Sequence, residues 1–451
     1  MCVIARDEER ALPGCLESTR GIVDEIVLVD TGSSDRTREI ARAAGARVLE
    51  QPWRDDFSAP RNLAVEHATG DWILQLDADE RLAGDPWRDL RAALASARFD
   101  CGMIRCHNAN RLDAQIADVV AGRARQGPPI PLPRVLRRTP DLRYAGVVHE
   151  SVSAWVAARG MRVAPLDVDI VHFGAIPALR GERGKDDRNL RLLRRRCALE
   201  PDSVTPFGYL ALELVSRGAL ADAAEAVERG WALLQARPAD VSVLRLAVAR
   251  AIVAVEAEEP ARALQAVELA ERAEGAQPDL HYLRGRAMTQ LALRTAGDER
   301  ERRLREAVAA FRAALGFVDG AFRQYVAGAS SWASRNAIGD VMLVLKRPSE
   351  AFAAFAEVLA ERPDDVDARL GSVEALLQAG RPADALRRVE PLLAQGRDGW
   401  LLAGAAAAAL GDRRDAVAFT ARAAAAGVTF RAAHRSELLE RVRGELGMEA
   451  A

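Results

Sequence analysis

Long apolar runs and an excess of basic charge are both missing from this chain of 451 residues. No uninterrupted apolar run approaches the roughly 20 residues of a membrane-spanning helix, so the sequence predicts no transmembrane segment. Acidic residues follow soon after Met1, which argues against the apolar core of a signal peptide. The formal charge of −2 gives no electrostatic basis for binding nucleic acid.

Cysteine is also scarce. The five cysteines, at irregular spacings, are Cys2, Cys15, Cys101, Cys106 and Cys197. So few thiols predict a reducing, cytoplasmic location rather than a disulfide framework. Cys101, Cys106 and His107 lie close together, but no second ligand pair at zinc-like spacing follows, so buried thiols are favoured over a zinc site.

The chain has two halves with different patterns, and its length predicts more than one domain. Residues 1–180 alternate short apolar runs with amphipathic segments, such as the strand Glu25–Asp30 followed by a helix that Ser33, Ser34 or Asp35 would cap. This alternation predicts an α/β domain with a doubly wound, Rossmann-like, mostly parallel sheet. Residues 181–445 lose the strand pattern and predict an all-α domain.

The helical half contains degenerate repeats in which an alanine follows a turn by a few residues. These alanines are Ala223, Ala263, Ala307, Ala351, Ala385 and Ala416. The step of about 34 residues from Ala351 to Ala385 is the period of a tetratricopeptide helix–turn–helix unit. The pattern favours a tetratricopeptide-like helical solenoid. A plain helical bundle is the alternative.

Two predicted strands end in acidic, polar clusters: Glu25–Asp30 runs into TGSSD, and Trp72–Leu76 runs into DADE. In open α/β sheets, ligands bind outside the carboxyl ends of the strands, so both clusters are expected at one crevice. Asp77 and Asp79 can share one Mg²⁺ or Mn²⁺ ion through carboxylate oxygens. The alternative is that the pair caps the helix beginning near Asp85.

Several motifs in fixed order carry a resemblance to a known family. They are ARDEE, VDEIVLVDTGSSDRT, WRDDFSAPRN, GDWILQLDADE, GVVHES and VHFG. On these motifs the first 175 residues resemble a family 2 glycosyltransferase domain of the GT-A fold. Its combination with tetratricopeptide repeats is similar to peptide glycosyltransferases.

The resemblance implies a nucleotide-sugar donor, with a UDP-sugar favoured. It implies that Asp30 contacts the nucleobase and that Ala5, Arg6 and Glu8 line the same pocket. Arg61 would lie near the diphosphate or the base. Asp7 stands where the family more often has asparagine, which leaves the choice of nucleotide open.

The resemblance also implies a metal site and a base. Asp77 and Asp79 would hold Mn²⁺ or Mg²⁺ on the donor diphosphate, with His172 as a further ligand. Glu150 would deprotonate the acceptor in an inverting transfer. On the residues alone, His172 could instead be hydrogen-bonded locally, and Glu150 could be a surface residue or a partner of Arg143.

The helical half is expected to recruit a peptide, protein or glycan acceptor or to mediate assembly, including a homodimer. One alternative is a non-catalytic tetratricopeptide adaptor with a degenerate glycosyltransferase domain. Another is a metal-dependent nucleotidyltransferase, which explains LDADE but neither SAPRN nor VHES. The Gly/Pro-rich segment 108–133 is expected to form a loop over the acceptor.

Overall fold

The structure is a computed structural model, and it describes residues 1–95, 98–174, 176, 185–236, 243–317, 325–426 and 434–448. It divides into two compact units. Among the described residues, the first unit ends at residue 236 and the second begins at residue 243. None of the helices in the described ranges is both long enough and apolar enough to cross a membrane.

The first unit is built on an eight-stranded sheet with the order β3-β2-β1-β4-β7-β6-β8-β5. The strands are β1 (Cys2–Ala5), β2 (Val27–Asp30), β3 (Arg47–Glu50), β4 (Trp72–Asp77), β5 (Glu80–Ala83), β6 (Cys101–Asn108), β7 (Ile130–Arg137) and β8 (Val163–His172). Strands β3, β2, β1 and β4 are parallel neighbours, and β6 is parallel to β8. The pairings β4–β7, β6–β7 and β5–β8 are antiparallel.

Helices cover both faces of this sheet, because its strands present apolar side chains on both faces. They are α1 (Leu12–Ser18), α2 (Thr37–Ala43), α3 (Ser58–His67), α4 (Pro86–Ala95), α5 (Ile116–Val120) and α6 (Ser153–Arg159). In β2, Leu28 packs into the core on one face, whereas Val27 and Val29 pack into the core on the other. All four β2 residues are buried, as expected for a parallel strand covered on both sides.

Strands β5, β7 and β8 are not among those predicted from the sequence, and the segment 108–133 is more ordered than a simple loop. It contains α5 and the first residues of β7. Val119 and Ala124 from this segment pack with Val171 and Phe173 in a small core of their own. All five cysteines are buried free thiols, which includes Cys101 and Cys106, for which buried thiols were predicted.

Three helices of the helical half belong to the first compact unit rather than to the second. They are α7 (Lys185–Leu199), α8 (Val204–Ser216) and α9 (Leu220–Ala236). The predicted domain boundary at residues 180/181 falls shortly before α7. The sheet and these three helices therefore form one compact unit.

The second unit, in its described part, consists of successive helices packed on one another. They are α10 (Leu244–Glu256), α11 (Pro260–Glu274), α12 (Pro278–Leu293), α13 (Gly297–Leu315), α14 (Trp332–Val344), α15 (Pro348–Glu361), α16 (Val366–Gln378), α17 (Pro382–Val389), a 3₁₀ helix (Glu390–Gln395), α18 (Arg397–Ala409), α19 (Arg413–Ala425) and α20 (Arg435–Leu446). The six repeat alanines are all fully buried. Small residues at these positions let neighbouring helices approach closely.

A buried ionic cluster ties α20 to two other helices of the second unit. The Arg435 guanidinium contacts Glu374 of α16 at 3.0 Å and Asp398 of α18 at 2.5 Å. The His434 Nε2 atom lies 2.9 Å from Glu374 Oε1. Arg435 is only 2% exposed, so its charge is balanced by these carboxylates rather than by water.

Candidate active site

The carboxyl ends of three parallel strands, β1, β2 and β4, lie side by side at one end of the sheet. Ala5 at the end of β1 pairs in register with Asp30 at the end of β2, and Ile4 pairs with Asp77 at the end of β4. Because the strands are parallel, their carboxyl ends open on the same side, where ligands of such sheets bind. The structure therefore brings Ala5, Asp30 and Asp77 together at this end of the sheet.

Asp77 is held by two arginines. Arg61 of α3 donates to Asp77 Oδ1 at 2.8 Å, and Arg134 of β7 donates to Oδ2 at 3.1 Å. Burial alone would raise the pKa of Asp77, but the two guanidinium groups outweigh it and hold the pKa well below its ordinary value. Both carboxylate oxygens of Asp77 thus already have cationic partners.

Glu80 lies behind Asp77 and is 1% exposed. Its Oε2 accepts a hydrogen bond from the Asp77 backbone N–H at 2.9 Å, and its Oε1 pairs with Arg134. Burial raises the pKa of Glu80, and the negative charge of Asp77 adds to this effect. Glu80 and Arg134 together fix the backbone and the side chain of Asp77.

Asp79 and His172 form a second pair at the same end of the sheet. His172 Nε2 lies 3.5 Å from Asp79 Oδ1, while His172 Nδ1 contacts Asn108 Oδ1 at 2.9 Å. Burial would lower the pKa of His172, but Asp79, with Glu80 and Asp77, outweighs it and raises the pKa. The amide oxygen of Asn108 orients the ring, so Nε2 points towards the carboxylate.

Gly174 leaves room for this pair. A Cβ atom at residue 174 would overlap Asp79 Oδ2 and would lie 2.8 Å from His172 Nε2. The carboxylate is a ligand type that Mn²⁺ and Mg²⁺ both accept, whereas a ring nitrogen suits Mn²⁺ better than Mg²⁺. Among the described residues, no three His, Cys, Asp or Glu side chains converge into a complete metal site. Asp79 and His172 therefore supply two candidate ligands, and a complete metal shell would need further ligands.

Arg61 links Asp77 to Glu150. Its Nε donates to Glu150 Oε1 at 2.5 Å, and the side chains of Arg61 and Glu150 are 9% and 10% exposed. Within the described residues, this is the one hydrogen bond of the Glu150 carboxylate. Arg143, the alternative partner of Glu150, instead pairs with Glu66 at 3.1 Å. Oε2 of Glu150 is thus left for another group.

The Asp30 carboxylate is turned into the loop that follows β2. Asp30 Oδ1 accepts from the backbone N–H groups of Gly32 at 3.1 Å and Ser33 at 3.0 Å, and Oδ2 accepts from the Ser33 hydroxyl. Arg38 of α2 donates to Oδ1 at 3.3 Å. Asp30 is 1% exposed, so its strongest interactions are internal to the protein.

The loop after β1 is joined to the loop after β2 through backbone N–H groups. Asp7 N–H donates to Ser33 Oγ at 2.9 Å, and Glu8 N–H donates to Thr37 Oγ1 at 2.8 Å. Asp7 adopts φ +53°, a left-handed conformation, and its Oδ1 accepts from Ser34 N–H at 2.7 Å. Ala5 is buried and Arg6 is exposed, so only part of this predicted pocket faces solvent.

Sequence reasoning missed Arg134, Asn108 and Gly174. Arg134 is a charged residue next to the buried Val135 and Leu136, and such a residue in an apolar strand could have indicated a buried carboxylate partner. Asn108 and Gly174 reach the site only through the pairing of β6 with β8 and the turn after β8. Gly174 belongs to the quoted motif VHFG, but its role in leaving room for Asp79 was not predicted. No pattern connected Asn108 to Asp79, because the pairing of β6 with β8 was not predicted.

Comparison with known proteins identifies the two parts of the chain. Residues 1–141 match the family model described as Glycosyl transferase family 2, and residues 345–410 match a tetratricopeptide repeat model. Residues 1–141 therefore form a family 2 glycosyltransferase domain. The predicted fold class, an α/β GT-A glycosyltransferase domain followed by a tetratricopeptide solenoid, is confirmed.

Curated relatives of this chain come from several bacteria. A TPR repeat-containing protein of Synechococcus elongatus is 36% identical over 244 residues, which cover 53% of this chain and 57% of the relative. An uncharacterized glycosyltransferase of Rickettsia typhi is 32% identical over 98 residues, covering 22% of this chain and 33% of the relative. The glycosyltransferase SunS of Bacillus subtilis is 22% identical over 214 residues, covering 47% and 48%.

The aligned regions span from a third to somewhat more than half of these relatives' lengths. Among solved structures, a tetratricopeptide repeat protein from Parabacteroides merdae aligns with a TM-score of 0.42 at 15% identity, covering 59% of this chain and 94% of that protein.

Proposed function

We propose that this chain is a metal-dependent, inverting glycosyltransferase that moves a sugar from a nucleotide-sugar donor to a peptide, protein or glycan acceptor. The observation that carries the proposal is the position of Asp79, His172 and the Arg61–Glu150 pair at the carboxyl ends of the strands in a family 2 domain. A domain retained only as a scaffold would not need buried charges in this arrangement, because each is costly unless paired.

The donor pocket of the proposal lies along the ends of β1 and β2. Ala5, Arg6, Glu8 and Asp30 would line it, with a UDP-sugar as the favoured donor. Asp30 supports this role through the loop it organises, since its carboxylate fixes the backbone at Gly32 and Ser33. Arg61 would sit between this pocket and the acceptor side.

Asp79 and His172 would hold Mn²⁺ or Mg²⁺, with Asp77 as a third candidate ligand. A bound cation would neutralise the negative charge that develops on the diphosphate as it leaves. The chain's own contribution is to orient the ligands: Asn108 fixes the His172 ring, and Arg61 and Arg134 fix Asp77. Asp77 would have to release one arginine before it could bind a cation.

Glu150 would take the proton from the acceptor nucleophile. Its Oε1 atom is held by Arg61, which leaves Oε2 for an acceptor hydroxyl, thiol or amide group. A base placed opposite the leaving group gives transfer with inversion, as in inverting glycoside hydrolysis. The tetratricopeptide repeats would recruit the acceptor or mediate a homodimer, because stacked repeats offer an extended concave surface. The proposed location is the cytoplasm.

The test is nucleotide release from UDP-glucose, UDP-galactose and UDP-N-acetylglucosamine by the full chain, with Mn²⁺ or with a chelator. We expect Mn²⁺-dependent release that falls by about 100-fold or more in Asp79→Ala, because the cation loses a carboxylate ligand. The matched control is Asp113→Ala, which removes an exposed carboxylate paired only with Arg111 among the described residues.

Absence of metal-dependent release from every donor, by wild type and control alike, would contradict the enzymatic proposal. The adaptor hypothesis would then gain support. Inversion is tested by the anomeric configuration of the product, and the acceptor class by mass spectrometry of co-expressed peptides.

A further inference from the structure

The loop Ala145–Ser151, which carries Glu150, has a constrained backbone. It closes on itself through Ala145 N–H to Ser151 O at 2.9 Å and Ser151 N–H to Ala145 O at 3.0 Å. Gly146 adopts φ +98° and His149 adopts φ +51°. A left-handed conformation is unfavourable for a residue with a side chain, so His149 keeps it only if its surroundings hold it.

Arg196 of α7 supplies part of that hold. Its Nη1 atom donates to Val148 O at 2.7 Å and to His149 O at 3.1 Å, while its Nε donates to Glu200 at 2.9 Å. Arg196 is 6% exposed. It thus binds the carbonyl groups of the two residues that immediately precede Glu150.

Gly146 leaves space for this arginine. A Cβ atom at residue 146 would lie 2.6 Å from the Arg196 guanidinium carbon, and the positive φ itself favours glycine. The backbone of the loop and the side chain of α7 therefore fit closely. Only a glycine at residue 146 leaves the Arg196 guanidinium in its present place.

Tyr209 of α8 holds the other side of His149. The two rings are stacked with centroids 4.2 Å apart and an interplanar angle of 9°. His149 is thus held at its carbonyl group by Arg196 and at its ring by Tyr209. Arg196 and Tyr209 both lie outside the sheet and outside residues 1–141, the segment that matches the glycosyltransferase family model.

We propose that Arg196 and Tyr209 are positioning residues for Glu150. They hold the left-handed backbone of His149 and so keep the next side chain, Glu150, against Arg61. This inference rests on the proposed function for the role of Glu150, but the loop conformation can be measured without activity. The first helices of the helical half are thereby part of the catalytic unit.

The structural test is hydrogen exchange on full-length variants. We expect Arg196→Lys and Tyr209→Ala to speed amide exchange in residues 145–151 by about ten-fold or more, because the loop opens locally more often. Strand β4 should be unaffected. The matched control is Arg194→Ala on the same helix, whose guanidinium pairs with Asp222 at 2.9 Å. Unchanged exchange in 145–151 would overturn the inference whether or not the protein is active.

The functional test is UDP-glucose hydrolysis with Mn²⁺. We expect Arg196→Lys to lower kcat about ten-fold with little change in KM, since the donor pocket is left intact. In a Glu150→Gln background, Arg196→Lys should cause no further loss, because residues acting through one group are not additive. A further loss of the same size would assign Arg196 a merely structural role.

The two tests separate the failure of this inference from the failure of the proposed function. Faster exchange in 145–151 without any hydrolysis by the wild type would contradict the proposed function and leave Arg196 as a residue that holds this loop. Hydrolysis by the wild type with unchanged amide exchange in the variants would support the proposed function and contradict the positioning role of Arg196 and Tyr209.

Discussion

At the scale of single residues, Arg61 connects Asp77, a candidate metal ligand, with Glu150, the proposed base. It donates to Asp77 through Nη2 and to Glu150 through Nε, and it is buried between them. One planar guanidinium can serve two carboxylates in a fixed geometry, whereas an ammonium group cannot reproduce this geometry. The orientation of both carboxylates therefore depends on one side chain.

Replacing Arg61 by lysine should leave one of these two carboxylates without its hydrogen bond. We expect Arg61→Lys to lower the free energy of unfolding by about 1–3 kcal/mol, because one buried carboxylate loses its hydrogen bond. Donor hydrolysis should fall by about ten-fold or more. Chemical denaturation and nucleotide release measure the two effects. Arg143→Lys, which changes a half-exposed arginine paired with Glu66, is the control, and an equal loss in both variants would contradict the linking role.

Gly174 gives a second prediction at this scale. In Gly174→Ala the new Cβ would overlap the Asp79 carboxylate and crowd His172 Nε2. We expect the affinity for Mn²⁺ in the presence of UDP to fall by about ten-fold, as for other changes that misplace a metal ligand. Calorimetric titration measures it. Gly70→Ala is the control, since its nearest contact would be an ordinary 3.6 Å; unaltered Mn²⁺ affinity in Gly174→Ala would exclude this role.

At the scale of elements, the helices of the second unit pack through glycine and alanine. Gly339 of α14 faces Phe355 of α15, and a Cβ at residue 339 would lie 2.5 Å from that ring. Ala351, one turn before Phe355, is fully buried in the same core. These small residues allow an aromatic ring to lie between closely spaced helices.

Gly339→Ala should therefore overpack this contact. We expect a loss of about 1–3 kcal/mol in the free energy of unfolding, because the ring of Phe355 must move. Gly444→Ala in α20 has open space around the new methyl group and should instead stabilise the helix by about 0.5–1 kcal/mol. Chemical denaturation of both variants checks the difference, and stabilisation of both would show that the Phe355 contact is loose.

The elements also show what the sequence could and could not predict. Strands β2 and β4 were predicted because their apolar runs are long and end in polar turns, and the repeat predicted a helical array without predicting that its alanines are buried. Strand β8 was not predicted, although its buried Leu166, Val168 and Ile170 alternate with Asp167 and Asp169. Such alternation is a local signal of a strand with one face towards solvent.

The site could be predicted in part. Motifs in the sequence predict four site residues, Asp77, Asp79, Glu150 and His172, and the structure brings them to one end of the sheet. No motif predicts Arg134 as a site residue, because Arg134 meets Asp77 only once β7 pairs with β4. Local patterns indicate which residues carry chemistry, whereas strand pairing decides which residues hold them in place.

At the scale of the whole molecule, the ionic cluster of the second unit predicts how stability depends on pH. Asp340 of α14 interacts electrostatically with Arg435, His434 and Glu374 of this cluster. Burial raises the pKa of Asp340 from 3.8 to about 6, although Arg435 and His434 partly oppose this. An acid with a raised folded-state pKa destabilises the fold when charged, so stability should rise as pH falls from about 7 towards 5. Burial would lower the pKa of His434, but Glu374 raises it, which favours the fold at acidic pH in the same way.

Glu374 has the opposite effect on stability, which it lowers as the pH falls further. Burial would raise its pKa, but His434 and Arg435 lower it from 4.5 to about 2. The stability it contributes is present above its unfolded pKa of 4.5 and is lost as pH falls towards 2. The second unit should therefore be most stable near about pH 5.

Asp340→Asn should weaken this dependence. We expect the variant to be more stable than the wild type by about 1 kcal/mol at about pH 7.5 and to gain less on acidification to about pH 5, because the buried charge is gone. Denaturation at both pH values measures it. Asp364→Asn, at a fully exposed position, is the control, and an unchanged pH dependence in Asp340→Asn would refute the assignment.

The hold of α7 and α8 on the Glu150 loop also bears on protein engineering. Repeat arrays are often exchanged as modules, and the natural cut here would be at the end of the sheet, just after β8. A chimera joined at that position would discard Arg196 and Tyr209 and release the His149 backbone. A functional graft should instead keep α7, α8 and α9 with the donor half and exchange only the helices from α10 onwards.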